Sequence, residues 1–244
     1  MPEEKGSDYI KALQLGKEGA GEYYRKSVVK TEQQKFLEQL IKEKKLSCTK
    51  IADVACGGGS LTFHLRTIFP GASFSLCDFN PDALEIAKEL NGKECSYSVE
   101  NIYSLSFPDN TFDLVCCWQT LSWLDDPQTA LNELVRIAAP GGTIYVSSLF
   151  NIGHDVDIYA KLTDHTRPEG QAGMSYSYNT YSQRSVEKWL DGKVNAWKLH
   201  EFTPSVDFSY EGRGLGTFTV NSEHKRLQVS GGYLMNWAIL EIEK

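Results

Sequence analysis

The sequence predicts an α/β protein with an open, doubly wound sheet, mostly parallel with an antiparallel edge, and three observations carry that reading. Helical and extended patterns alternate from about residue 31 to residue 149. The apolar runs near 51–54, 73–77, 112–117 and 143–149 suit strands covered on both faces. Finally, Ile51-Ala-Asp-Val-Ala-Cys-Gly-Gly-Gly59 ends its run in small residues and three glycines, which suits a strand turning sharply into a helix against a ligand.

The elements follow in order. Thr31-Glu-Gln-Gln34 has the capping-box pattern, and Phe36, Leu37, Leu40 and Ile41 share one face, so a helix is expected from Thr31 to Lys44. Asn80-Pro81 and Asp126-Pro127 each place an N-cap before a proline at the first helical position. The first of these helices buries Leu84, Ala87 and Leu90. The second buries Leu131, Leu134, Val135 and Ala138 and is expected to stop at Pro140-Gly141-Gly142. Strands are expected at Ser96–Val99, Phe112–Cys117 and Thr143–Leu149.

Residues 151–181 hold two histidines, an arginine and four tyrosines with little periodicity, which marks a functional loop. Ser182 then caps a helix through Leu190. Strands at Val194–His200, Thr217–Val220, Arg226–Val229 and Leu234–Ile242 supply the antiparallel edge and an extra β-hairpin turning at Asn221–Lys225. The expected organisation is an N-terminal helical cap over 1–45, a core over 46–150, and a loop, helix and strands over 151–244 that complete the same domain.

Asp78 closes the run Ser73-Phe-Ser-Leu-Cys-Asp78 at the strand end where open parallel sheets meet ligands, and a carboxylate there can accept both hydroxyl hydrogens of a ribose. Ser60, Leu61 and Thr62 follow Gly59 where a dinucleotide fingerprint needs its third glycine, which disfavours NAD.

Four segments in order, Asp53–Gly59, Cys77-Asp-Phe-Asn-Pro81, Ser106–Val115 and Ala139-Pro-Gly-Gly142, resemble the motifs of the class I S-adenosylmethionine (SAM)-dependent methyltransferases. The resemblance spans about Ile51 to Leu149 and implies a Rossmann-like, seven-stranded sheet with SAM as methyl donor and S-adenosylhomocysteine as product. It also implies site residues. Ala55, Cys56, Gly57 and Gly59 would meet the methionine end through backbone, Asp53 would brace that loop or the methionine amino group, Asp78 would take the ribose and Phe79 the adenine face. Asn101 and Ile102 would follow the third strand at the adenine edge, and Cys117 and Trp118 would complete the wall. Ala55 stands where the family usually has its first glycine and would obstruct a positive-φ turn, while Asn101 replaces the usual aspartate.

A hydroxyl acceptor needs a base, and His154, a few residues past the fifth strand, is the first candidate, with His165 second. Tyr24 and Arg25 in the leader, Trp123 after the fourth strand, and Arg167 and Tyr178 in the long loop are the substrate-binding candidates. No metal is expected.

The 244 residues carry a formal charge of −7 and a pI near 5.3, which argues against nucleic acid and anionic lipid as partners. No run approaches the roughly 18 apolar residues of a membrane span, and the polar opening Met-Pro-Glu-Glu-Lys-Gly lacks a leader's apolar core, so a cytoplasmic protein is expected. The six cysteines form no CxxC pair and read as small buried hydrophobes. The resulting expectation is a methyltransferase acting on a small molecule, by O-methylation, in cell-surface sugar or secondary metabolism, with a homodimer as one assembly open to it. The alternatives are a SAM-binding sensor or partner subunit and, less favoured, a nicotinamide-dependent oxidoreductase.

Overall fold

A computed structural model describes residues 28–153, 155–164, 174–205, 218–221, 226–230 and 233–244. Helix α1 (Glu32–Lys44) opens on a complete capping box: Thr31 Oγ1 accepts from Gln34 N, and Gln34 Oε1 accepts from Thr31 N. Strand β1 (Lys50–Val54) leads through the glycine turn into α2 (Ser60–Ile68). Strand β2 (Ser73–Asp78), α3 (Pro81–Asn91), β3 (Ser96–Val99) and β4 (Phe112–Trp118) follow, with Asn80 capping α3 and Pro81 in its first turn.

After a 3-10 turn at Leu121–Trp123 come α4 (Pro127–Ile137), capped by Asp126, and β5 (Ala138–Asn151). Helix α4 stops at Ile137, three residues before the expected Pro-Gly-Gly stop. A proline disfavours helical backbone in the residue before it, and from Ala138 the chain is already extended and sheet-paired. Gly142 is needed for close approach, since a Cβ there would lie 2.8 Å from the Ala139 carbonyl and 3.0 Å from that of Phe112.

The expected irregular loop contains pairing of its own. Strands β6 (Lys161–Asp164) and β7 (Met174–Ser177) form a separate antiparallel pair, and the short β8 (Tyr181–Ser182) pairs parallel to the end of β5. Helix α5 (Gln183–Leu190) is capped by Ser182 as expected. Strands β9 (Ala196–Phe202), β10 (Phe218–Asn221), β11 (Arg226–Ser230) and β12 (Tyr233–Glu243) complete the order.

The central seven strands run β3-β2-β1-β4-β5-β12-β9, parallel from β3 to β5, with β12 inserted antiparallel between β5 and β9. The expected hairpin, β10–β11, joins the sheet through the first residues of β12 and extends it beyond seven strands. Strand alternation sends Ile51, Leu114, Cys116, Tyr145 and Ile239 to one face, under Leu37, Leu40 and Ile41 of α1 and Leu61 and Leu65 of α2. It sends Ala52, Val54, Val115, Cys117 and Val146 to the other, against Leu131 and Leu134 of α4 and Val186 and Trp189 of α5. Both faces are therefore apolar, and polar chemistry is confined to the strand ends.

All six cysteines are free thiols, four of them buried, as the sequence suggested. Among the described residues no helix is long and apolar enough to cross a membrane, and no cluster of three metal-ligating side chains occurs.

Candidate cofactor site

The turn after β1 is the most strained backbone on the carboxyl edge of the sheet. Ala55, Gly57 and Gly59 all have positive φ, at 56°, 53° and 76°. Ala55 therefore adopts the very conformation its methyl group opposes, at a cost of roughly 1–2 kcal/mol. The turn is held by Cys56 N donating to the Cys77 carbonyl at 3.0 Å and by Gly57 N donating to Asp78 Oδ2 at 2.8 Å. Gly59 has a packing role as well, because a Cβ there would lie 2.5 Å from Asn91 Nδ2 and 3.0 Å from the Ala87 Cβ. Ala87 and Asn91 let α3 approach α2 only because residue 59 has no side chain.

Asp78 brackets this turn from β2. Its Oδ1 accepts from Asn80 N at 2.9 Å while Oδ2 takes Gly57 N, and burial holds its pKa above the usual carboxylate range against these hydrogen bonds. Each oxygen keeps a lone pair for a further donor.

Asp53 lies deeper, opposite Leu76 of β2 and Cys116 of β4, and is fully buried. Thr62 Oγ1 donates to its Oδ2 at 2.7 Å, but Oδ1 has no partner among the described residues. Burial pushes its pKa up to about 7, against the Thr62 hydrogen bonds. Alternation places Asp53 on the same sheet face as Ile51, under α1 and α2.

Two glutamines that the sequence reading passed over complete this end. Gln34 Nε2 lies 3.4 Å from Ser60 Oγ, beside the glycine turn. Gln33 Oε1 accepts from Gln119 Nε2 at 2.5 Å, and the same Gln119 nitrogen donates to Ser147 Oγ of β5 at 2.7 Å. Gln119, just past β4, is also left-handed, with φ 55°. Gln33 Nε2 is buried with no acceptor among the described residues. The available signal was Gln33 and Gln34 standing in helical register with Leu37, Leu40 and Ile41, a polar pair on an apolar face.

The remaining cofactor candidates divide. Phe79 is half-buried next to Asp78. Asn101 forms a local turn in which its Oδ1 accepts from Tyr103 N at 3.0 Å, and Ile102 packs against the core. The Cys117 side chain is completely buried between β4 and the α4 layer, with its pKa pushed up to about 12 by burial, so only its backbone is left for a wall. Trp118 is half-buried on the opposite face.

Of the substrate candidates, Trp123 and Tyr178 come together, their ring centroids 4.3 Å apart. Asn179 N donates to the Ser122 carbonyl at 2.7 Å, and Asn179 Nδ2 and Tyr181 Oη bond the Leu124 carbonyl. This stretch thus closes over the turn after β4. His154, His165, Arg167, Tyr24 and Arg25 lie outside the described residues, as does the leader expected to act as a lid.

Residues 52–146 match the methyltransferase domain family. Over this segment the chain is similar to methyltransferases. An uncharacterized methyltransferase of Schizosaccharomyces pombe is 31% identical over 175 residues, covering 66% of this chain and 62% of that protein. A malonyl-[acyl-carrier protein] O-methyltransferase of Hahella chejuensis is 32% identical over 114 residues, 46% of this chain and 41% of that one. The chain thus spans less than two thirds of the length of these curated relatives. A SAM-dependent methyltransferase from Methanosarcina mazei shares the fold with a TM-score of 0.54 at 18% identity, covering 84% of this chain and 96% of that one. The matched segment runs from β1 into β5, so Asp53, Ala55, Asp78 and Gln119 fall inside it and Gln33 outside.

Proposed function

We propose that this chain binds SAM at the carboxyl edge of β1, β2 and β4 and transfers its methyl group to an oxygen of a small molecule. One observation carries the reading: a buried, unmatched acceptor at Asp53 Oδ1 and a buried, unmatched donor at Gln33 Nε2 lie on one sheet face around a left-handed glycine turn. A zwitterionic amino-acid end, with one ammonium and one carboxylate, is chemically complementary to such a pair. The residues present therefore fit the group that the family implies.

When bound, SAM supplies an electrophilic methyl on sulfonium sulfur, ready for in-line transfer. The chain holds and orients it: Asp78 receives the ribose hydroxyls, Phe79 and Asn101 flank the adenine, and the bare backbone of Gly57 leaves room for the chain between them. Trp123 and Tyr178, packed together beside the turn after β4, form one wall of the acceptor pocket. His154 is the first candidate to take a proton from a hydroxyl acceptor and His165 the second; a carboxylate acceptor needs no base. Oxygen as the acceptor is supported by relatives named for O-methylation in malonyl-carrier and ubiquinone biosynthesis.

Calorimetry with SAM, S-adenosylhomocysteine and NAD tests the cofactor, and tighter binding of NAD than of S-adenosylhomocysteine would sink the reading. A mass-shift screen of phenols, carboxylic acids and sugars with SAM then finds the acceptor. A +14 Da product on nitrogen rather than oxygen would overturn the O-methylation part.

A further inference from the structure

We propose that binding of the cofactor's amino-acid end drives a proton off Asp53, so that affinity for S-adenosyl ligands rises with pH through neutrality. The inference rests on the cofactor reading above and adds to it a regulation of the same site.

The starting point is what surrounds the carboxyl group. Asp53 has no exposure to solvent, and its Oδ1 meets no donor. From α2, Thr62 supplies one hydroxyl to Oδ2. Among the described residues, the titratable groups that act on it or respond to its charge are Cys77 and Asp78 from β2, Cys56 from the turn, and Cys116 and Cys117 from β4. All of them are acids, so none supplies the positive charge that would hold a buried carboxylate ionised. The free protein thus keeps Asp53 largely protonated below neutrality, in keeping with a pKa pushed up to about 7 by burial.

An arriving α-ammonium group changes both deficits at once. It offers a donor to the empty Oδ1 and a positive charge to a site that has only acids, which favours the ionised carboxylate. The balance is simple. The protonated Asp53 carboxyl plus the ligand's ammonium become a carboxylate–ammonium pair, and the carboxyl proton passes to solvent. Where the free protein is protonated and the complex is not, affinity gains about tenfold per pH unit, and it levels off above the free pKa.

Calorimetry of the full chain with S-adenosylhomocysteine, in pairs of buffers with unlike ionisation heats, tests this. Close to one proton should be released per ligand at about pH 6 and almost none at about pH 8, with affinity at least about tenfold higher at the upper pH. 5′-Deoxy-5′-methylthioadenosine, which lacks the amino-acid end, should bind without proton release. Asp53→Asn should abolish the release and flatten the pH profile. Thr62→Val, which removes the side-chain donor favouring the carboxylate and leaves the backbone one, should move the rise in affinity to higher pH and keeps the test open if Asp53→Asn fails to fold. Binding of S-adenosylhomocysteine with no proton release at about pH 6, or release that survives in Asp53→Asn, would overturn the proposal while leaving the cofactor reading intact. Failure of the ligand to bind at any pH would overturn both.

Discussion

The two edges of the same sheet treat their polar groups in opposite ways. At the amino edge several charged side chains are fully partnered among the described residues. Asp113 accepts from Thr49 N, Thr49 Oγ1 and Lys50 N within 3.0 Å. Arg136 bonds Glu133, Asp109 and the carbonyls of Leu105 and Phe107, and Lys244 bonds Asn110 and two carbonyls. At the carboxyl edge Asp53 Oδ1 and Gln33 Nε2 stay unmatched, and Ala55 and Gln119 sit in left-handed backbone. The amino edge is built to stabilise; the carboxyl edge carries strain and unspent hydrogen bonds where a ligand can use them.

The sharpest way to break this contrast is a pair of opposite pH slopes. Ionising Asp53 costs the free protein, because its folded pKa, about 7, lies above the unfolded value near 4. Its contribution to stability therefore falls as pH rises from about 4 to about 7. Asp53→Asn should leave stability nearly unchanged near pH 4.5 and raise it by about 2–4 kcal/mol above pH 8, read from urea unfolding. Glu241 runs the other way. His200 first, and then Lys44, hold its pKa down to about 2, so its contribution is full above about pH 4.5 and lost as pH falls through 2. Glu241→Gln should cost about 1–2 kcal/mol at pH 7 and little at pH 2.5. Equal slopes for these two carboxylates, one half-satisfied and one paired though both lie in the same cross-strand row, would end the comparison.

Next in size is Asp78, which the cofactor reading makes a ribose ligand. Asp78→Ala should weaken S-adenosylhomocysteine binding by about 2–4 kcal/mol in calorimetry. Affinity within twofold of the parent chain would remove that role. Because Gly57 N and Asn80 N also lose their acceptor, thermal stability should drop in the same variant.

Gln33 gives a smaller effect. Gln33→Met keeps the packing volume but removes the unmatched donor and the bond to Gln119, and should cost about 1–2 kcal/mol of S-adenosylhomocysteine affinity. Binding of 5′-deoxy-5′-methylthioadenosine, which has no carboxylate, should not change. Equal losses for the two ligands would make Gln33 a purely structural link between α1 and the sheet.

The smallest expected change is at Ala55. Ala55→Gly removes a methyl that opposes a φ of 56° and should raise unfolding stability by up to about 1 kcal/mol, less whatever glycine gains in the unfolded chain. A loss of stability would mean that the methyl's contacts outweigh its strain.

Local signals were decisive for the elements. Thr31, Asn80, Asp126 and Ser182 all cap the helices their patterns announced, because a cap needs only its own next three residues. The motifs around Asp53 and Asp78 were equally legible, since turn geometry and strand ends are written in consecutive residues. Boundaries that depend on pairing were not: α4 ended at Ile137 rather than at Pro140, and residues 161–164 and 174–177 paired with each other where no periodicity showed.

What the sequence determined by itself is the α/β alternation, the glycine turn, the two carboxylates at adjacent strand ends and the family they indicate. Only the tertiary structure decided that Ala55 is left-handed, that Asp53 is left half-satisfied, that Cys117 turns into the core, and that Gln33 reaches Gln119 across 86 residues. The reason is physical. Propensity, capping and turn chemistry act over a few residues of chain. A buried atom's missing partner is a property of every element packed around it, and becomes visible only once those elements have closed.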